Sequence, residues 1–390
     1  MQIILFEDQH RSRFLPLTYT RPVGELRMGM MTMAQRYGIL FNTEVGHETR
    51  PALKTLFPGA HAQRQLHINA RLFPTPSLVE ELKKMSPGVV LRHGDTILAR
   101  CIDTHEEHTE RVLHSKAELE WIERITDLFS LNAMAMAFDF NLMPKTNAAA
   151  SLHASNTLLG DANQLFIHET AKVYASTLNT LDGPIYIDAG AEVMEGTHIR
   201  GGLYVGEHST LKLGSRIYGA TTIGPHCKVG GEVSNSILHG YSNKGHDGFL
   251  GNSLIGEWCN LGADTNTSNL KNNYSDVKIW SYEKADFADT GLTFCGLIMG
   301  DHSKSGINTM FNTGTVAGVS ANVFGGGFPD KHIPSFSWGG ADGWVTYELD
   351  KAFDTMEKVM QRRSCKLTDP LRSLFRQIFE ETTHYRDSAS

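Results

Sequence analysis

The sequence predicts an α/β region, then a parallel β-helix built from six-residue steps, then a helical tail. Three observations predict it. Every sixth residue from Ile187 is aliphatic, through Val193, Ile199, Val205, Leu211, Ile217, Ile223 and Val229. With roughly one residue in five being Ile, Leu or Val, such a run has a chance probability on the order of 10⁻³. Residues 1 to about 110 alternate short apolar runs with helical stretches, and residues 346 to 381 carry apolar stripes at helical spacing. A six-residue period means that each short strand inserts one aliphatic side chain inward and then turns. Three hexads close a coil, and stacked coils bury a continuous column. A right-handed β-helix and a sandwich are the rivals, and strict hexads suit neither.

The 390 residues allow two or three domains. A net charge of −7 argues against a nucleic-acid partner, although a local basic pocket for phosphates is compatible with it. The opening MQIILFEDQH is too short for a signal peptide and reads as a first strand. No run approaches a membrane span. The cysteines are widely spaced and form no CxxC pair, so neither a disulfide framework nor a zinc site is expected. The expectation is a soluble, cytoplasmic protein without a bound metal.

Ile3 to Phe6 reads as a buried strand and Leu26 to Tyr37 as a helix. Pro76-Ser77 opens a helix through Leu78, Val79 and Leu82. Val89 to Leu91 and Ile97 to Ala99 flank His93-Gly94-Asp95 as a hairpin. His105-Glu106-Glu107-His108 is a solvated loop rather than a metal shell. Residues 110 to 145 read as helical, with Met134, Met136 and Met143 as core filler. Lys145 to Ser155 reads as a linker, and the coil is expected to begin near Phe166-Ile167. Gly206 and Gly224 fall in phase, where a corner needs a residue without a Cβ. Beyond Glu232 the sequence turns polar; Ile237, Phe249, Ile255 and Leu261 keep the step and position 243 breaks it. The stripes Leu349, Phe353, Met356, Met360 and Leu371, Leu374, Phe375, Ile378, Phe379 make two helices, broken at Asp369-Pro370, that pack on this coil or on a neighbour. The expected domains are 1–110, a helical connector and linker 111–160, the β-helix 161–340, and the tail 341–390.

The hexads resemble the left-handed β-helix of hexapeptide-repeat acyltransferases, and the left hand is taken from that resemblance. Within it, Lys244-Gly245-His246, Phe249-Leu250-Gly251, Asn260-Leu261-Gly262-Ala263, Thr265 and Asn269 match, without gaps, the acetyltransferase half of the GlmU-like bifunctional family. The resemblance implies an acetyl-CoA-dependent N-acetyltransferase acting on an amino-sugar phosphate. An amino sugar must lose a proton to attack a thioester, and a neutral imidazole accepts one near pH 7. His246 is the candidate base. Asn260, Asn269 and Phe249 are the candidate sugar contacts, and Lys244 or Lys271 would meet a phosphate. Ala263 and Ser305 would contact the acetyl-CoA. Asp247 would orient the imidazole or bind an ammonium group. Ser234 stands where the family has its sugar-phosphate lysine, Phe249 where it has a tyrosine and Leu270 where it has another, so phosphate recognition differs or the acceptor is another amino sugar. The family also implies a homotrimer.

Leu15 to Pro22, LPLTYTRP, resembles the opening of sugar-1-phosphate nucleotidyltransferases, and Thr20 to Arg27 resembles a short divergent branch of them. Arg13 and Arg21 then become phosphate-binding candidates, with a nucleoside triphosphate as partner and Mg²⁺ only if that site turns over. Glu7 to Ser12 contains no glycine to let backbone N–H groups approach a triphosphate, and its acids would repel one. Val23 replaces the family's lysine. Three readings remain: acetyltransferase, nucleotidyltransferase with an assembly coil, and a non-catalytic sugar-nucleotide-binding relic.

Overall fold

The computed structural model describes residues 1–106, 108–143, 145 and 150–387. Glu107 and residues 146–149 of the expected linker lie outside them. The chain forms two compact units: residues 1–14, 20–26 and 31–125, and residues 15–19, 27–30 and 126–390.

The first unit is a mixed sheet with strand order Val45–Glu48, Gln2–Phe6, Arg64–Asn69, Thr96–Asp103, Val89–His93, Arg111–His114. The apolar run Ile3 to Leu5 lies one strand in from the edge and is fully buried, pairing in parallel with both neighbours. The 89–93 and 96–103 strands form the expected antiparallel hairpin. Helix α1, Met33–Phe41, starts later than its composition suggested, because Thr32 and Gln35 close a reciprocal capping box there. Helix α2, Pro76–Lys83, is capped by the Thr75 hydroxyl. Residues 111–114 pair in parallel with 89–93, so the helical reading of 110–145 fails at its start. Helices appear only at α3, Asp127–Ser130, and α4, Asn132–Leu142.

The second unit is a left-handed parallel β-helix whose faces are sheets of six, nine and ten strands. It begins at Thr157–Leu159, which stacks on Thr177–Asn179, so the first coil precedes Phe166. The hexad residues fill three inward columns. Ile187, Val205 and Ile223 stack on one face, Val193, Leu211 and Val229 on the next, and Ile199 and Ile217 on the third. All are at most 2% exposed. Gly206 and Gly224 are required by close approach rather than by φ: a Cβ on Gly224 would lie 1.9 Å from the His239 carbonyl oxygen.

One coil is shorter than the rest, since Ile223 pairs with Leu238 whereas Val205 pairs with Ile223. Val205 to Ile223 is 18 residues and Ile223 to Leu238 is 15, so the inward positions leave the six-residue count that runs from Ile187. Leu238 and Leu250 face the core, not Ile237 and Phe249 as the six-step count expected, and Lys244 rather than Asn243 takes the inward place between them, while Ile255 and Leu261 are inward as expected. The coil resumes at Ile298 after an excursion that carries the antiparallel hairpin Lys278–Ser281 and Asp286–Asp289.

Met136 and Phe140 of α4 pack with Met30 against the outward ring column Phe166, Tyr186 and Tyr204. Asn132, fully buried, donates to the Ala220 carbonyl at 2.7 Å and accepts from the Gly29 N–H at 2.6 Å. Asn132→Ala leaves the Gly29 N–H unpaired in a buried site and takes a donor from the Ala220 carbonyl. It should cost about 2–4 kcal/mol, read as a lower urea midpoint at unchanged m-value.

The tail forms α5, Leu349–Gln361, α6, Asp369–Glu381, with Pro370 in its first turn, and α7, Thr383–Asp387. It packs on its own coil: Phe375 meets the His302 ring at 5.2 Å, and the Arg386 guanidinium donates to the Ser335 carbonyl at 3.0 Å.

Candidate functional site

The residues Gly245 to Gly248 turn the corner between the inward Lys244 and the strand Phe249–Gly251. Gly248 has φ of +117°, and a Cβ there would lie 2.2 Å from the Thr265 carbonyl oxygen, so only glycine lets this loop lie flat on the next coil. His246 sits at the outer tip, exposed, and its imidazole makes no hydrogen bond within the described residues. The Asp264 N–H donates to the Asp247 carbonyl at 3.1 Å, which puts Ala263 in the place equivalent to His246 one coil on. The Ala263 N–H makes no hydrogen bond within the described residues, while its carbonyl accepts from Asn308 at 2.8 Å. Asp247 faces Arg216, two coils earlier in the stack, at 3.6 Å.

Lys244 is not where a sugar phosphate could meet it. It occupies an aliphatic column position, 1% exposed, directly after Val229. Its ammonium donates at 2.9 Å to the carbonyl oxygens of Gly230 and His246. Burial pulls its pKa down to about 8. The residue therefore ties down the backbone under His246. Ser305, expected against the acetyl-CoA, is likewise interior: its hydroxyl is 2.9 Å from that of Thr265 and accepts from the Gly262 N–H at 3.2 Å.

The Phe249 ring and the Asn269 amide meet above Gly251, where a Cβ would lie 2.5 Å from one and 2.6 Å from the other. The Asn269 amide donates to the Asn252 side chain at 2.8 Å, and Asn252 in turn stacks on Asn235 at 2.9 Å once the Asn235 amide is oriented to satisfy both. Asn269 thus ends a ladder of corner asparagines, which occupies part of its hydrogen-bonding capacity. The Lys271 ammonium donates to the Ser275 hydroxyl and the Asp276 carbonyl, holding the chain that follows. Asn260 pairs with Asn243 and Lys304 on the outward row of the ten-stranded sheet and lines a different recess, which His246 does not line.

In the first unit, the acids of the glycine-free loop are engaged. Asp8 accepts from Arg71 at 2.7–3.1 Å; burial pushes its carboxyl up, but the bonds from Arg71 and Asn69 outweigh that and hold it below the usual 3.8. Glu7 accepts from the Val23 N–H at 2.9 Å and faces Arg11 at 3.4 Å. The repulsion expected from these acids is therefore cancelled inside the loop. Arg13 lies 3.6 Å from Glu123, and Arg21 is 6% exposed, so neither presents a bare guanidinium. Asp103, Glu106 and His108 bring ligand atoms within 4.8 Å of one another at the surface, but Asp103 already accepts from Gln63 and from the His105 N–H. No helix of the described residues is long and apolar enough to cross a membrane.

Sequence reasoning missed Arg216, whose pairing with Asp247 needs the stacking of two coils. It also missed the outward row through Lys228, Asn243, Asn260 and Lys304, in which each residue precedes an inward one. That position in each coil was the available signal.

Comparison with known proteins finds one family match and several relatives of partial length. Residues 3–147 match the family described as sugar nucleotidyl transferase. A bifunctional sugar-1-phosphate nucleotidylyltransferase/acetyltransferase of Sulfurisphaera tokodaii is 28% identical over 155 residues, 39% of this chain and 38% of that protein. The bifunctional protein GlmU of Methanocaldococcus jannaschii is 34% identical over 104 residues, 27% of this chain and 25% of that protein. The matches thus span well under half of these relatives' own length. Among solved structures, the Arabidopsis UDP-N-acetylglucosamine acyltransferase aligns with 60% of this chain and 84% of its own at 16% identity and a TM-score of 0.25. Residues 3–147 are therefore similar to the sugar nucleotidyl transferase family, and parts of the chain are similar to the GlmU-type bifunctional transferases.

Proposed function

We propose that the protein is an acetyl-CoA-dependent N-acetyltransferase of an amino-sugar phosphate, of the glucosamine-1-phosphate kind, with a sugar-nucleotidyltransferase-like unit in front. The observation that supports it is the pair His246 and Ala263: an exposed, unbonded imidazole with an unpaired backbone N–H one coil away, about 5 Å along the stack. The amine of the sugar attacks the thioester carbonyl and gives its proton to the His246 imidazole. The oxyanion of the tetrahedral intermediate accepts from the Ala263 N–H. Collapse expels the coenzyme A thiolate, which takes the proton back. Lys244 acts as a positioning residue, because it holds the His246 carbonyl from inside the coil. Phe249 and Asn269 flank the loop and supply sugar contacts. The corner is open to solvent in one chain, and a homotrimer would close it with a neighbour's coil.

A second reading, sugar-1-phosphate nucleotidyl transfer, is favoured by the family match over residues 3–147. Arg13 and Arg21 would then serve the phosphates, and Mg²⁺ would be required. One pair of assays separates the readings. Thiol release from acetyl-CoA that depends on glucosamine-1-phosphate is the expected result. Pyrophosphate release from a nucleoside triphosphate and a sugar-1-phosphate, without thiol release, would replace the first reading with the second.

A further inference from the structure

A cavity of about 500 Å³ lies between the outward row of the ten-stranded sheet and the end of α5. Four cations line it: Lys228 and Lys304 from the sheet, Arg362 and Arg363 from the helix end. No carboxylate lines it among the described residues, although the chain as a whole carries −7. Like charges gathered in a recess repel one another until an anion joins them. The sheet register orders the floor: Lys228 pairs with Asn243, Asn243 with Asn260, and Asn260 with Lys304. The two lysines therefore stand three strand spacings apart, about 14 Å, with two carboxamides between them. Arg363 reaches over this floor and donates to the Asn243 side chain at 3.4 Å. Burial pulls Lys304 down to about 8, a cost that a bound anion would offset.

One wall is aromatic. Tyr241 and Trp258 stack at 4.2 Å between centroids, within a column of rings that runs from His208 and His226 to His302. Each of these ring residues has φ between 53° and 61°, at the same corner of successive coils. The volume is that of a small-molecule site rather than of a single inorganic ion.

We propose that this cavity binds an organic phosphate: a phosphorylated small molecule whose phosphate meets the Lys and Arg cluster and whose remaining polar groups meet Asn243 and Asn260. It is separate from the His246 corner and does not depend on the acetyltransferase reading.

Isothermal titration of the full chain with ADP, UDP and glucosamine-1-phosphate tests it, with inorganic pyrophosphate alongside. At least one organic phosphate is expected to bind once per chain and to weaken with salt. The double variant Lys228→Gln/Arg362→Gln changes two exposed side chains and should lower that affinity at least tenfold. His246→Ala should leave the ADP and UDP affinities unchanged. Silence with all three organic phosphates overturns the proposal. So does affinity that the double variant leaves intact, or binding lost in His246→Ala alone, which would place the ligand at the other corner. Pyrophosphate binding as tightly as every organic phosphate would reduce the cavity to an inorganic-anion site and overturn it as well.

Discussion

Replacing His246 with alanine is expected to lower acetyl transfer by about 10²–10⁴-fold, the usual contribution of a positioned general base. Thermal stability should stay within about 0.5 kcal/mol of the parent, because the side chain is exposed and makes no hydrogen bond within the described residues. The two readouts together separate catalysis from folding. Thiol release from acetyl-CoA with glucosamine-1-phosphate gives the first, and urea unfolding the second. Unchanged turnover in a folded variant would remove His246 from the mechanism.

Lys244→Met is expected to change the sign of its stability effect with pH. Burial lowers the ammonium from 10.5 to about 8 in the folded chain. Below pH 8 both states hold the proton, so the parent bears the full cost of burying a charge, about 3 kcal/mol for that shift. Between pH 8 and 10.5 the folded state gives up its proton first, the unfolded chain binds more protons, and the parent gains stability as pH rises. Methionine fills a similar volume without the charge but leaves the Gly230 and His246 carbonyls without their donor, at about 1 kcal/mol each. At pH 7 the variant should therefore be about 1 kcal/mol more stable than the parent. By pH 10 the parent has recovered most of its burial cost and the variant should be the less stable of the two. Urea titrations at both pH values check this, and parallel curves for the two proteins would refute the buried-ammonium account.

The legible part of the molecule is the part governed by local period. A coil that repeats every six residues writes its core into the sequence, so the aliphatic columns from Ile187 to Val229 and the two tail stripes were readable without coordinates. The hairpin at residues 89–103 was readable because Gly94 marks its turn. At Gly245-His246 and Ala263 the sequence offered candidates by resemblance alone, and the stacking of the coils is what sets the two one above the other at one corner. The first unit was legible as α/β, but its last strand, Arg111–His114, was not, since its partner lies at residues 89–93 and only pairing distinguishes it from a helix start.

By itself, then, the sequence determined an α/β region, a β-helix and a helical tail, because each follows from periodicity. Tertiary structure alone decided the rest. A short coil took the inward register off the six-residue count and drew Lys244 and its charge into the core, away from any phosphate. Stacking turned Asn269 into the end of an asparagine ladder. Folding also gathered Lys228, Lys304, Arg362 and Arg363, scattered over more than a hundred residues of chain, around one recess. Each of these depends on which coil lies above which, a relation set by the summed lengths of intervening turns and by the excursion before Ile298, and no local spacing records it.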